Sequence, residues 1–166
     1  GGHAVPLSPF ALVSEIRRWW DGPLLLSGAI ATGGGVLAAQ AMGADMAYIG
    51  SPFIATPEAR ASDAYKQMIV DSKAADIVYS NSFTGVHGNY LRGSIVAAGM
   101  DPQNLPEGDI SKMDFGQGVS GAGAKAWKDI WGAGQGVGAV DAVVPVAELV
   151  DRLEREYRAA RERLGV

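Results

Sequence analysis

Leu24-Leu25-Leu26-Ser27-Gly28, then Ala38-Ala39-Gln40-Ala41-Met42-Gly43, then Ala47-Tyr48-Ile49-Gly50-Ser51 is the rhythm of a strand, a helix and a second strand. Residues 23–29 form a short, uniformly apolar run, the pattern of a strand buried on both faces, as parallel sheets require. A glycine-rich turn at 32–35 follows. Val36, Leu37, Ala39, Gln40 and Met42 then continue as a small-residue helix ended by Gly43, and residues 44–50 return as the next buried strand. Two strands joined through a helix make a parallel βαβ unit with a right-handed crossover. Ser27-Gly28 and Gly50-Ser51 stand where the two strands end. Glycine lets backbone N–H groups come close to anionic oxygens, Ser51 adds a hydroxyl donor, and a helix N-terminus favours a dianion such as phosphate. Each turn alone also fits a plain strand-to-helix connection; the two together point to ligand binding.

Outward from this unit the pattern is more helical. Ser8 can cap a helix with Pro9 at its first position; Leu12, Val13 and Ile16 give it one apolar face, and Asp21-Gly22-Pro23 stops it, so residues 9–20 are expected to be helical. On the other side, residues 58–72 read as a helix, 76–80 as a short strand and 87–98 as another helix. Residues 99–124 are polar and rich in Gly, Pro and Asp, the composition of a long surface loop. Residues 125–131 read as a short helix running into Gly132-Ala133-Gly134-Gln135-Gly136. Pro145 starts a last helix in which Val146, Leu149, Val150, Leu153, Tyr157, Ala160 and Leu164 keep helical spacing up to Gly165; its charged opposite face reads as solvated surface. There is no internal repeat.

Composition excludes several classes. With 166 residues the chain can bury one sizeable core, yet it is short of the roughly 250 residues of a complete (β/α)8 barrel. Lys+Arg number 14 against 18 Asp+Glu, so there is no global positive field for nucleic acid. Cysteine is absent, which removes disulfides, thiolate metal sites and cysteine nucleophiles and suits a reducing cytosol; a cytoplasmic location is the expectation. No apolar stretch approaches the roughly 20 residues of a membrane span, and nothing at the N-terminus resembles a signal peptide.

Of the two histidines, His3 would project near the mouth of the site formed by the two turns, where an imidazole can serve as general base or hydrogen-bond donor; on position alone it also reads as a surface histidine. His87 reads as a helix-start residue. Two histidines so far apart, without an acidic partner pattern, make no metal motif, and no metal is expected. Trp127 and Trp131 stand one helical turn apart, a spacing that favours core packing.

Gly1-Gly2-His3, Leu24-Leu25-Leu26-Ser27-Gly28-Ala29-Ile30-Ala31-Thr32-Gly33, Ala38-Ala39-Gln40-Ala41-Met42-Gly43-Ala44-Asp45 and Tyr48-Ile49-Gly50-Ser51-Pro52-Phe53, in that order and spacing, resemble the C-terminal half of the nitronate monooxygenases, formerly called 2-nitropropane dioxygenases. The resemblance continues through Tyr65-Lys66-Gln67-Met68, Phe83-Thr84-Gly85-Val86-His87-Gly88-Asn89-Tyr90 and Trp131-Gly132-Ala133-Gly134-Gln135-Gly136, and so covers nearly the whole chain. It implies an α/β chain, the C-terminal portion of a TIM (β/α)8 barrel with an added, mainly helical C-terminal segment. Residues 1–56 would be the last β/α units of an FMN-binding barrel, and 57–166 a helical segment packing over the active site. It further implies FMN as cofactor and the oxidation of alkyl nitronates or nitroalkanes with molecular oxygen to carbonyl compound and nitrite. His3 matches the catalytic histidine of the family's Gly-Gly-His motif. Ser27-Gly28 and Gly50-Ser51 match the phosphate end of the FMN site, and Gly2 and Gln135 lie in motifs that line the flavin.

The sequence departs from the family pattern in three places. Val5 stands where the family usually carries glycine, two places after the histidine, and Gly33-Gly34-Gly35 is richer in glycine than the pattern. The family's first strands have no counterpart in the sequence, so the expectation is about half a barrel, which needs its missing N-terminal half or another chain. A non-catalytic fragment or interaction module is the alternative, discriminated by retained flavin and nitronate-dependent oxygen uptake. An FMN-dependent enoyl reductase, discriminated by NAD(P)H oxidation, is another. Barrels of the inosine-monophosphate dehydrogenase type share the glycine turns but use a cysteine nucleophile, which this chain lacks.

Overall fold

A computed structural model describes residues 2–4, 6–108 and 128–166, with Gly2 and His3 as backbone. The parallel unit is present. Strands β2 (Leu25–Ser27) and β3 (Met46–Tyr48) pair in parallel with Leu25 opposite Met46, Leu26 opposite Ala47 and Ser27 opposite Tyr48. Helices α1 (Pro9–Ile16) and α2 (Gly33–Ala41) cover one face, where Val13, Leu26, Ala39 and Ala44 make a core. The strands are therefore not buried on both faces as their apolar runs suggested. Leu25, Met46 and Tyr48 are 52%, 50% and 64% exposed, because no described element packs on the other face. Helix α1 ends at Ile16, short of residue 20, and Arg17 beyond it turns back. Its guanidinium donates to Gly43 O at 2.7 Å, Gly22 O at 2.7 Å and the Asp45 carboxylate at 2.7 Å. Asp45 also accepts Leu24 N–H at 2.8 Å, and this bond, followed by the guanidinium, holds its carboxyl below the usual carboxylate range.

The glycines at 33–35 do not form a turn ahead of a helix; they are its first turn. Thr32 caps it by accepting from Gly35 N–H at 3.0 Å. The reason for glycine is the last helix, α6 (Val146–Leu164), which crosses here: a Cβ at Gly33 would fall 2.1 Å from Leu153 O and 2.2 Å from Tyr157 N. Helix α6 runs as its spacing predicts and ends on Gly165 in the left-handed region, at φ 71°.

The second half departs further from expectation. After β3 come the four-residue helix α3 (Ser51–Ile54) and α4 (Asp63–Asp71), so only the later part of the helix expected at 58–72 forms. It starts where Ser62 accepts from Tyr65 N–H at 3.3 Å. The strand expected at 76–80 is β4 (Ile77–Ser80). The helix expected at 87–98 is not one element: Gly88–Leu91 is strand β5, and only Arg92–Ala97 is helical, as α5. Glycine and asparagine are poor helix formers. Tyr90 and Leu91, both fully buried, alternate into separate clusters, Tyr90 with Phe83, Ile95 and Ile130, Leu91 with Ala55, Ile69, Ala133 and Val137. That is a two-residue period, which a strand alone satisfies.

β5 is the centre of an antiparallel sheet in the order β1-β5-β4, where β1 is Gly2–His3. Gly2 pairs with Asn89 and His3 with Gly88; Ile77, Val78, Tyr79 and Ser80 pair with Leu91, Tyr90, Asn89 and Gly88. The edge of β5 opposite β4 is shared, because Leu91 N–H donates to Trp131 O at 2.8 Å and Ala133 N–H to Asn89 O at 3.2 Å. Among the described residues, 57–166 thus carry strands β4 and β5 besides α4, α5 and α6. The loop expected at 99–124 falls largely outside the described residues; of the helix expected at 125–131, residues 128–131 are described and are not helical, forming a turn and a bridge ahead of the Tyr90–Gly132 bridge that pairs the segment with β5.

Candidate functional site

The two parallel strands bring their carboxyl ends side by side. Ser27 ends β2 and is exposed, as are Gly28 and Ala29 after it. Gly28 has φ +113° and Ala29 φ +56°, the one non-glycine residue with positive φ among those described. Such a conformation in alanine costs of order 1 kcal/mol and persists where the surroundings over-determine it. Beside them, Gly50 is exposed and leads straight into α3. A Cβ at Gly28 or Gly50 would meet no described atom within 4 Å, so both turns leave room over their backbone.

Ser51 is buried, and its Oγ accepts the Gly134 N–H at 2.8 Å. That bond joins the second turn to the glycine segment, where the exposed Gln135 opens a 3-10 turn, Gln135–Ala139. Gly136 of this turn lies against the first turn: a Cβ there would stand 3.0 Å from Ala31 Cβ and 3.1 Å from Ala29 O. The segment 131–134 also continues the β5 edge on which Gly2–His3 pairs. Ser27, Gly28, Gly50, Ser51, Gln135, Gly2 and His3 are therefore tied into one framework through Asn89, Ala133 and Gly134.

His87 is not a helix-start residue. It precedes β5, its O accepts Ala4 N–H at 3.0 Å, and its ring stacks on Tyr79 with centroids 4.7 Å apart. Trp131 packs as expected, stacked on Tyr65 at 5.0 Å and against the Leu91 cluster; Trp127 lies outside the described residues. The Tyr65 hydroxyl donates to Gly132 O, and burial pushes its phenol up to about 12, so it is protonated at neutral pH. Among the described residues no group of three or more His, Asp or Glu could hold a metal ion.

The structure brings in residues that the sequence reading missed. Arg152 and Glu156, on the face of α6 that reads as solvated surface, turn inward. Arg152 donates to Ala139 O at 3.2 Å and Ala31 O at 3.4 Å, and Glu156 accepts Gly33 N–H at 2.8 Å. Glu58 does the same for α6, accepting Val146 N–H at 3.0 Å. The start of α2 is thus occupied by Glu156 and Thr32, while no described side chain caps α3.

The family model for nitronate monooxygenase matches residues 1–156. The chain belongs to the nitronate monooxygenase family. It is 30% identical over 164 residues to a nitronate monooxygenase of Paraburkholderia phytofirmans, an alignment covering 95% of this chain and 44% of that relative. Among solved structures it is similar to a nitroalkane oxidase from Streptomyces ansochromogenes (TM-score 0.76, 25% identity, 99% of this chain and 50% of that one) and to FabK from Thermotoga maritima (TM-score 0.70, 24% identity, 99% and 53%). These structural neighbours are of the TIM-barrel type. The chain spans about half the length of the relatives it matches. No helix among the described residues is long and apolar enough to cross a membrane.

Proposed function

We propose that the chain supplies the phosphate end and the histidine-bearing strand of an FMN-dependent enzyme that oxidises alkyl nitronates or nitroalkanes with molecular oxygen to a carbonyl compound and nitrite. The observation that carries this reading is the pairing of Ser27 with Tyr48, which makes the Gly28 and Gly50 turns neighbours at the carboxyl edge of a parallel sheet, with a short helix directly after the second. Loops after two adjacent strands plus the start of a short extra helix are the usual phosphate site of TIM barrels. Two observations support the fit: open space over both glycines and an α3 start without a side-chain cap. Gly28, Gly50 and Ser51 would hold the phosphate through backbone N–H groups and the Ser51 hydroxyl proton, Ser27 would stand beside them, and Gly2 and Gln135 would line the flavin.

Electron transfer and reaction with oxygen are the chemistry FMN supplies when bound. The chain's own contribution is His3, which binds the anionic nitronate or takes the α-proton of a neutral nitroalkane, and whose backbone is held in β1 by pairing with Gly88. Residues 1–56 are in this reading the last β/α units of the barrel, and 57–166 pack over its active site. The uncovered face at Leu25, Met46 and Tyr48 is where the barrel's other strands, from a longer chain or a partner, complete the enclosure.

The test is the visible spectrum of the purified protein after incubation with FMN and desalting, with the mass of the released chromophore and nitronate-dependent oxygen uptake. A flavin spectrum with the mass of FMN and oxygen uptake on nitronate are expected. A protein that stays colourless removes the cofactor site from this chain, and NAD(P)H oxidation without nitronate turnover replaces the reaction with an enoyl-reductase type. His3→Ala should keep FMN and lose about 10²-fold or more in turnover; unchanged turnover removes His3 from the mechanism.

A further inference from the structure

We infer that Arg152 is a positioning residue for the phosphate end of the site: it ties the loop after β2 to the glycine segment and so sets the affinity for a flavin phosphomonoester over the same flavin without phosphate. The inference rests on the FMN reading above. The guanidinium reaches Ala31 O, three residues past Gly28, at 3.4 Å and Ala139 O, at the end of the Gln135–Ala139 turn, at 3.2 Å. One turn along α6, Glu156 takes Gly33 N–H at 2.8 Å and stands 3.7 Å from Arg152 Nε. A single turn of α6 therefore grips two backbone points just after the first glycine turn, Ala31 O and Gly33 N–H, and one, Ala139 O, at the end of the glycine segment. Between them, Gly136 passes so close that a Cβ there would stand 3.1 Å from Ala29 O, and Ala29 is the residue held at φ +56°. Strain of that kind relaxes when its supports are removed.

Arg152 also stands near the start of α3. It lines a cavity of about 200 Å³ whose wall includes Pro52, the second residue of α3, together with Val140, Asp141, Glu148 and Arg155. The same side chain thus bonds the loop after β2 and shares a cavity wall with the first turn of α3. Lysine cannot replace it, since one ammonium lacks the planar fork that spans two carbonyls. Arg155 lines the same cavity with the same charge and makes no such bond among the described residues, which separates positioning from simple attraction.

The experiment measures dissociation constants of FMN and riboflavin, by flavin fluorescence quenching, for the 166-residue chain and for Arg152→Gln, Arg152→Lys and Arg155→Gln. The starting protein should prefer FMN. Arg152→Gln should lower FMN affinity about tenfold, the worth of a lost charge-assisted bond, with riboflavin unchanged, and Arg152→Lys should recover only part of it. Arg155→Gln should leave the ratio within about twofold. Equal loss for both flavins, full recovery by lysine, or an equal effect of Arg155→Gln overturns the role of Arg152. A starting protein that binds FMN no better than riboflavin overturns the phosphate reading, and this inference with it. Should Arg152→Gln fail to fold, the lysine variant alone decides: an undiminished FMN preference rejects the inference.

Discussion

After β2 the chain turns through Gly28 and Ala29 into a nine-residue helix whose first amides are taken by Glu156 and Thr32; after β3 it turns through Gly50 into a four-residue helix whose start meets no side-chain cap. Both turns expose glycine at the end of a parallel strand. One is sealed by the protein's own carboxylate; the other meets no side-chain cap among the described residues. The difference follows from what lies behind each turn. Helix α6 crosses directly over the start of α2, close enough to require Gly33, and delivers Glu156 to it. Behind the second turn stands a backbone segment, held by Ser51 Oγ, which brings no charge.

The largest break in this pairing comes at the crossing. Gly33→Ala places a methyl about where the α6 backbone already is, and backbone cannot swing aside as a side chain can, so α2 and α6 must separate. A loss of about 3 kcal/mol in urea unfolding is expected, at the upper end for overpacking. Gly34→Ala, one residue on, meets nothing nearer than 4.0 Å and should be neutral or stabilising by up to about 1 kcal/mol. Equal effects at the two positions would mean the close crossing is not what selects glycine. Next in size is Ser51→Ala, which strands the buried Gly134 N–H and should cost about 2 kcal/mol. In the proposed site it would also remove a donor to the phosphate, so FMN affinity should fall more than riboflavin affinity. A variant with unchanged stability would show that the second turn is held by something other than Ser51.

How much of this the chain discloses depends on whether the deciding contact is local. The β2, α2, β3 and α6 elements follow from neighbouring residues: apolar runs, Gly43, Pro145 and Gly165 punctuate them within a few positions. β5 does not. Residues 88–91 form a strand because Ile77–Ser80 and Gly2–His3 lie on either side, and no pattern inside Gly88-Asn89-Tyr90-Leu91 reports those partners. The two glycine turns were legible, but the strands end at Ser27 and Tyr48, two residues short of the expected 29 and 50. Arg152 and Glu156 were not, because an (i, i+4) ion pair has the same spelling whether it faces water or another helix's amides. The available clue was indirect: three consecutive glycines at 33–35 imply that something passes close by.

The smallest effect sharpens the contrast through pH. The Tyr65 hydroxyl donates to Gly132 O, in the segment that backs the second turn, and among the described residues no ionisable group with a comparably raised value touches the first. Burial raises its value from 10.0 to about 12, so the folded state favours the protonated phenol. The contribution is complete below pH 10, falls as pH rises from 10 to 12 while the unfolded chain releases its proton first, and is gone above. The phenol keeps partial contact with solvent, so the slope should be shallow. Tyr65→Phe should remove that part of the alkaline decline while lowering stability at neutral pH through the lost bond to Gly132. Urea midpoints from pH 8 to 12 read both effects. Parallel curves for the two proteins would place the alkaline weakness elsewhere, and would leave the second turn no more dependent on a titrating neighbour than the first.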